Sequence, residues 1–341
     1  MNFGEKMKEA FTADTLPTGE DSPFLWTEVQ SEQQARDAMN NQEYYATLVV
    51  PSTFSSNVMS LLNTDSAQSS VTVILNQGKN LTVATTVNTI MDKMIAGLNG
   101  QLREQLINSA EERGMEALPT AQVNLLAEPV NTVFETVNAV GERSANGNAP
   151  VVFTQLLWVG SMVGALTIFL TARNVKEGQK SGWGTAIGQL VLGAIIALIA
   201  SGSLLFTGVE ILSLRVPDMM EMWGYTALIS YCFFLLMTGI LNWTGLKGMP
   251  LLALLFFFGP PALSLPVEFL PDVSRYWLLS WVPLRFGVEI LRDLFYFGEG
   301  LNLREPLKVL SLTAAVGAAL VLLSELKPVK EPQGKKDKAT T

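Results

Sequence analysis

Five long stretches with almost no charged side chains narrow the possible folds of this chain more than any other feature. A transmembrane helix needs about 20 predominantly apolar residues, and each stretch is close to that length. Each is also apolar on all sides, whereas a helix on the surface of a soluble domain has one polar face. We therefore expect five membrane-spanning helices, at residues 151–172, 185–208, 223–243, 249–267 and 307–325.

The composition agrees with a membrane protein that has two different parts. Only 16% of the 341 residues are charged, against about 25% in a typical soluble domain. Residues 1–150 hold 18 acidic and 8 basic side chains, whereas residues 151–341 hold 13 acidic and 15 basic ones. This asymmetry indicates an acidic domain in one environment and a membrane domain in another.

The residue types that are missing exclude several classes of active site. The chain has no histidine, which excludes Ser-His-Asp and Cys-His catalysis and histidine-ligated metals. Its single cysteine, Cys232, lies inside an apolar stretch, so an internal disulfide and a multi-cysteine metal site are excluded as well. We therefore predict a protein that is not an enzyme and has no catalytic residue, cofactor, metal or nucleic-acid partner.

Basic residues in the connections predict the orientation, because lysine and arginine collect on the cytoplasmic side. Arg173, Lys176 and Lys180 follow the first span, Lys247 follows the third, and several lysines follow the fifth. These three basic regions follow every second span, so all of them can lie on the same side of the membrane, facing the cytoplasm. The connection at 209–222 is mainly acidic and is expected outside.

This orientation predicts three parts in a multi-pass protein of the cell membrane. They are an extracellular α/β domain at 1–148, a membrane domain at 149–328 and a cytoplasmic basic tail at 329–341. Because no signal peptide precedes the domain, we expect one more transmembrane helix upstream, which makes six spans in the full protein. The alternative is that the first span translocates its own N-terminal segment.

The extracellular domain is expected to combine strands with amphipathic helices. Ser31 and Gln34 have the spacing of a helix cap, and apolar residues from Val87 to Leu106 form one helical stripe within 80–107. A further short helix is expected at 53–62. Strands or extended pieces are expected at 24–29, 44–50, 71–75, 123–126 and 129–140.

Three segments resemble the YhgE/Pip family of bacterial membrane proteins. They are YYATLVVPSTFSSNVMSLL (44–62), VTVILNQGKNLTVATTV (71–87) and NGNAPVVFTQLLWVGSMVGAL (146–166). The resemblance implies a fold like that of the ABC-2 exporter permeases, with six spans, both ends inside and a large outside domain after the first span. It also implies a lipid bilayer setting and pairing as a homodimer or with a related permease.

The segment WVPLRFGVEILRDLFYFGEG (281–300) is apolar enough to enter a membrane but carries four charges. Its charged residues Arg285, Glu289, Arg292 and Asp293 share one helical face. In mid-membrane each would cost about 2.5–3.5 kcal/mol, and pairing at i,i+4 recovers only about 0.2–0.5 kcal/mol.

A helix that lies at, or re-enters, the outer interface fits this segment better than a span does. We expect Gly259-Pro260-Pro261 to break the preceding span, and Tyr276, Trp277 and Trp281 to form an interfacial belt. The resemblance implies a gate that begins at Pro283 and carries the four charges. An inert helix that anchors a loop is the alternative.

Two functions from different classes remain open. The chain has no G-x-x-x-x-G-K-[ST] phosphate loop, so an exporter permease would need a separate ATP-binding subunit. By analogy with the ABC-2 class, that subunit would contact Arg173, Lys176, Glu177 and Lys180, whose charges otherwise only set the topology. The cargo would be a lipid-like, amphipathic or peptide substrate. The alternative is a cell-surface receptor or secretion scaffold, of the phage-receptor type, whose spans anchor the outer domain.

Overall fold

A computed structural model describes most of the chain and divides it into two compact units. The described residues are 3–12, 24–63, 68–114, 120–178, 183–265, 269–278, 282–298 and 304–327. The first unit is Met1–Glu142 and the second is Arg143–Thr341.

The first unit is an α/β fold with its own apolar core. Its strands are β1 (Ala46–Val49), β2 (Ser69–Asn76) and β3 (Val130–Val137). Its helices are α1 (Phe3–Thr12), α2 (Glu32–Asn40), α3 (Phe54–Ser60), α4 (Leu81–Glu112) and α5 (Thr120–Ala127).

The three strands form one mixed sheet in the order β1, β2, β3. Strands β1 and β2 are antiparallel, with Ala46 opposite Leu75, and β2 and β3 are parallel, with Ser69 opposite Val130. Residues Val73 and Ile74 point to opposite faces of β2, yet both are buried. The central strand is therefore covered on both faces, as its continuous apolar run requires.

Helix α4 confirms the predicted stripe. Residues Val87, Met91, Met94, Leu98, Leu102 and Leu106 are all buried. Asn80 caps the helix, because its side-chain oxygen accepts a hydrogen bond of 3.1 Å from the Val83 N–H. The predicted cap at Ser31 is also confirmed, since its hydroxyl accepts from the Gln34 N–H at 3.2 Å.

Two local predictions in the first unit were wrong. Residues 24–29 belong to no strand, and residues 123–126 lie in helix α5 instead of a strand. The second error has a simple cause, because Val123 is the only β-branched residue after Thr120 and the other apolar residues of α5 are good helix formers.

All the regular secondary structure in the described part of the second unit is helical. Its helices are α6 (Ala149–Gly178), α7 (Trp183–Phe206), α8 (Met219–Thr244), α9 (Met249–Ser264), α10 (Pro283–Arg292) and α11 (Arg304–Leu323). Single π-helical turns follow α7 and α10, at Thr207–Ile211 and Asp293–Phe297, and another covers Val273–Leu278.

Four helical stretches are long and apolar enough to cross a membrane. They are Ala149–Asn174, Trp183–Ile211, Met219–Phe257 and Glu305–Leu326. The third contains α8 and half of α9. Gly245 separates these two helices, because its φ of +63° and ψ of −153° are not helical. Helix α9 has 16 residues and extends about 24 Å, so the fifth expected crossing stays a prediction.

The predicted break at Gly259-Pro260-Pro261 was wrong. Helix α9 continues through these residues to Ser264, and the extended backbone begins at Leu265. Proline is tolerated inside membrane helices where neighbouring groups satisfy the carbonyl that loses its partner. The chain therefore leaves this helix several residues later than the Pro-Pro pair suggests.

Helix α8 is the central helix of the second unit. In the stretch that contains α8, 67% of the most apolar segment is buried. The corresponding share is 22% in the stretches that contain α7 and α11. A β-carbon at Gly317 of α11 would lie 2.6 Å from the Leu236 amide nitrogen, and one at Gly193 of α7 would lie 2.0 Å from the Phe234 ring. Glycine at these two positions therefore allows both outer helices to approach α8 closely.

Candidate functional site

The charged helix α10 is packed inside the helical unit and does not lie on its surface. Its neighbours are α6, α8, α9 and α11. The first residue, Pro283, is buried, and so are all the apolar residues that follow it. These are Leu284, Phe286, Val288, Ile290 and Leu291.

Gly287 brings α10 against two neighbouring helices at once. A β-carbon at this position would lie 3.0 Å from Cγ2 of Thr154 in α6 and 3.3 Å from Cγ2 of Ile229 in α8. Thr154 is near the start of α6, whereas Ile229 is ten residues into α8, about 15 Å along its axis. Helix α10 therefore enters the bundle from the end where α6 and α8 begin.

The four charged residues of this segment differ in their exposure. Arg285 Nε donates to Glu289 Oε1 at 2.6 Å, and both side chains are about one-third exposed, at 37% and 33%. Arg292 is half-buried, and Asp293 is only 5% exposed. Asp293 is therefore the most buried of the four charged residues that the sequence places on one helical face.

A polar cluster joins three helices at the opposite end of the unit. Asn242 Nδ2 donates to Gln189 Oε1 at 2.8 Å and to Ser324 Oγ at 3.2 Å. These residues belong to α8, α7 and the turn that follows α11. Gln189 is 3% exposed and Ser324 is 5% exposed, so each needs the partner that the cluster supplies.

Basic residues lie at the same end as this polar cluster. Lys327 Nζ donates to the Trp243 carbonyl at 2.7 Å, and Trp243 Nε1 donates to the Leu320 carbonyl at 2.9 Å. Lys247 follows α8 directly. The segment between α6 and α7 also ends here, because Gln189 is in the second turn of α7. Helix α10 and this basic end are therefore at opposite ends of the unit.

The residues predicted to contact an ATP-binding subunit lie in and after the last turns of α6. Arg173 is exposed, and Lys176 and Glu177 belong to the helix. The side chains of Lys176 and Glu177, and the whole of Lys180, lie outside the described residues. Of the four predicted contacts, only the position of the Arg173 side chain is therefore described.

Trp158 is a candidate functional residue that sequence reasoning missed. It is completely buried, and its ring meets that of Phe233 edge-on at 4.9 Å. Its Nε1 donor has no acceptor among the described residues. Tryptophan normally indicates a membrane interface, so nothing in the sequence marked this one as a buried polar group beside α10.

The described ranges contain no group of three cysteine or carboxylate residues arranged to hold a metal ion. Polar features of the second unit include the partly exposed ion pair of α10, the buried Asp293 and Trp158, and the three-helix cluster. These groups can bind and position polar atoms inside an apolar bundle.

Comparison with known proteins assigns the chain by sequence. A family model described as "ABC-2 family transporter protein" matches residues 4–324. No curated protein and no solved structure matches the chain. The matched range includes described elements of both units, from α1 to the turn after α11.

Proposed function

This chain belongs to the ABC-2 family of transporter proteins, and from that premise we propose that it is the permease subunit of an exporter driven by a separate ATPase. Members of this family normally work with an ATP-binding subunit in a membrane complex. Within the family we assign it to the YhgE/Pip type, on the three segments quoted above. Its cargo is a lipid-like, amphipathic or peptide molecule.

The family match over nearly the whole chain is the observation that carries this proposal. The packing of the helices supports it. A receptor needs only one span as an anchor, whereas here α8 is surrounded by α6, α7 and α11. Large apolar side chains of α7 remain exposed, and lipid or another subunit must cover such faces. We therefore also propose pairing with a second copy or a related permease.

We propose that the basic end of the unit faces the cytoplasm and contacts the ATPase. Arg173, Lys176, Glu177 and Lys180 would provide that contact. Lys247 and Lys327 lie at the same end, so all three basic regions agree with one orientation. In this orientation residues 1–148 are extracellular and the tail 329–341 is cytoplasmic.

The same orientation makes α10 a re-entrant helix in the outer half of the membrane. Its packing between α6 and α8 supports a role as a gate, because movement of α10 would separate helices that it now joins. The half-exposed Arg285–Glu289 pair gives this helix a polar surface to line a route. An inert loop anchor needs neither property.

Purification of the full chain from its native membranes tests the permease assignment. We expect an ATPase to copurify with the wild-type chain. A Glu177→Ala, Lys180→Ala double variant should retain about tenfold less of it, which corresponds to about 1.4 kcal/mol. Glu210→Ala is the matched control, because Glu210 is an exposed acid after α7, at the opposite end.

The possible results separate the alternatives. Absence of any ATPase from the wild-type preparation would overturn the permease assignment and favour the receptor or scaffold. Wild-type retention by the double variant would overturn only the proposed contact residues.

A further inference from the structure

The first unit has an open trough along strand β1. Its volume is about 670 Å³, within the range of about 300–1,000 Å³ that is usual for ligand sites. One wall is helix α1, one is the segment 25–30 and one is β1. We call it the β1 trough and define it by Met7, Phe11, Trp26, Ala46 and Leu48.

The backbone of β1 presents an open edge to this trough. The Asn76 N–H donates to the Tyr45 carbonyl at 2.9 Å, which makes Tyr45 and Asn76 a hydrogen-bonded pair. Such pairs alternate along an antiparallel ladder, so Ala46 and Leu48 turn their N–H and C=O groups away from β2. No described residue bonds these groups, and all four residues of β1 are half-buried.

The facing wall has a second unused donor. Trp26 lines the trough, and its buried Nε1 has no acceptor among the residues that the structure describes. The ring is held by edge-on contacts with Phe11 at 6.3 Å and Phe24 at 5.8 Å. A buried donor without an acceptor destabilises the folded state, and a ligand carbonyl would supply that acceptor.

We propose that the β1 trough binds an extended peptide of a partner molecule as an additional strand. The peptide backbone would bond Ala46 and Leu48, and one of its carbonyls would accept from Trp26 Nε1. This is β-strand addition, in which the main chain provides affinity and alternate side chains provide specificity. Alternate residues would point towards Met7 and Phe11, so they should be apolar.

The net charge of the first unit indicates which residues should alternate with the apolar ones in the peptide. Residues 1–142 contain 18 acidic and 7 basic residues, a net charge of −11. Glu28 and Glu32 lie along the trough, where Glu28 pairs with Lys8 at 2.6 Å and Glu32 with Arg36 at 2.7 Å, so the negative field comes from the unit as a whole. Such a field attracts cations and repels a second acidic unit. The predicted partner is therefore a peptide of alternating basic and apolar residues, and pairing of two copies through β1 is disfavoured.

A designed peptide tests this site on the full chain in uncharged detergent. The probe is fluorescein-labelled KVKVKV with blocked ends, and binding is followed by anisotropy against protein-free micelles. We expect saturable binding by KVKVKV. We expect at least tenfold weaker binding by EVEVEV and by a KVKVKV peptide with N-methyl groups on alternate amides, which cannot complete a strand ladder.

Two proline variants compare the two edges of the sheet. Leu48→Pro removes an outward N–H and no bond to β2, which is where an edge strand tolerates proline. On β3, Asn99 bonds both the N–H and the C=O of Val130, at 2.8 and 3.0 Å. The backbone N–H and C=O groups of Thr132, two residues later, therefore also point away from β2. Leu48→Pro should weaken binding at least tenfold, whereas Thr132→Pro should leave it unchanged.

Trp26→Phe removes the donor but keeps an aromatic ring, and we expect severalfold weaker binding. Thermal unfolding of each variant checks that it is folded, and the N-methylated peptide tests the same backbone pairing without any change to the protein.

The proposal is overturned if KVKVKV does not bind saturably, or if the N-methylated peptide binds equally well. Self-association that Leu48→Pro abolishes, without peptide binding, would assign the edge to a second copy. None of these results bears on the permease proposal, which depends on the other unit and its ATPase.

Discussion

Arg36 links two distant parts of the first unit through its side chain. Its guanidinium donates to both carboxylate oxygens of Glu135 on β3, at 2.8 and 2.6 Å, and also bonds Glu32 in the same helix. The hydrogen bonds from Arg36 hold the pKa of Glu135 below its ordinary value. This fork geometry suits arginine and would not be reproduced by lysine.

The pH dependence of stability should reveal this pair. When the pKa of a carboxylate is lower in the folded state than in the unfolded state, its ionisation stabilises the fold at a pH above the unfolded-state pKa of about 4.3. This stabilisation is lost as the pH falls through the lower folded-state pKa. We therefore expect Glu135→Gln to unfold at a lower temperature than wild type at pH 7, and this difference should be smaller at pH 3. The exposed residue Glu104 provides the control, as Glu104→Gln should match wild type at both values. A gap of equal size at both values would contradict the role of this ionisation.

Contacts between helices in the second unit depend on particular glycines. The spans contain Gly160, Gly164, Gly188 and Gly193, and small residues in transmembrane helices usually allow close packing. A β-carbon at Gly164 or Gly193 would contact Phe234, but one at Gly160 or Gly188 would meet nothing within 4 Å. Among the described glycines, the closest approach to the backbone of a neighbouring helix is instead that of Gly317 to α8, at 2.6 Å.

Gly317→Ala should therefore destabilise the helical unit. The added methyl group would meet backbone atoms of Leu235 and Leu236 that cannot rotate away, and we expect a loss of about 1–3 kcal/mol. Thermal unfolding in detergent measures the effect. Gly160→Ala is the matched control and should be neutral, or stabilising by about 0.5–1 kcal/mol, because alanine favours a helix. Equal stability of the two variants would show that α11 does not pack against α8 in this way.

The orientation of the whole molecule in the membrane can be measured by cysteine labelling, because the chain has a single native cysteine. Cys232 is buried in α8, and Cys232→Ala leaves a background without thiols. On it, Leu25→Cys reports on the first unit and Lys247→Cys on the basic end of the second. Leu25 is fully exposed, and Lys247 is exposed as well.

An impermeant maleimide added to intact cells should label the Leu25→Cys chain and leave the Lys247→Cys chain unlabelled until the cells are permeabilised. The reason is that lysines collect on the cytoplasmic side, while the acidic unit is expected outside. Lys327→Cys should behave like Lys247→Cys. Labelling of Leu25→Cys and Lys247→Cys from the same side would disprove the proposed topology.

The sequence alone predicted the features that depend on length and local pattern. A run of about 20 apolar residues has no stable place in water and satisfies its own backbone as a helix in lipid. Four of the five expected stretches accordingly coincide with helices that are long and apolar enough to cross a membrane. The α4 stripe and the Ser31 cap also follow from spacing within a few residues. The same local evidence predicts that the segment around Glu289 is too charged to cross, and this stays a prediction.

Other features required knowledge of which surfaces meet. The sequence did not reveal that α10 is enclosed by four helices, that Trp158 is buried beside Phe233, or that Asn99 binds the start of β3. The sequence also did not show that one edge of β1 is unpaired, because the residue pattern of a strand is the same whether a neighbouring strand lies on one side or on both. Each of these features joins residues that are far apart in the chain. The contact energy there depends on the final packing of whole helices and strands, and no local pattern of residues encodes it.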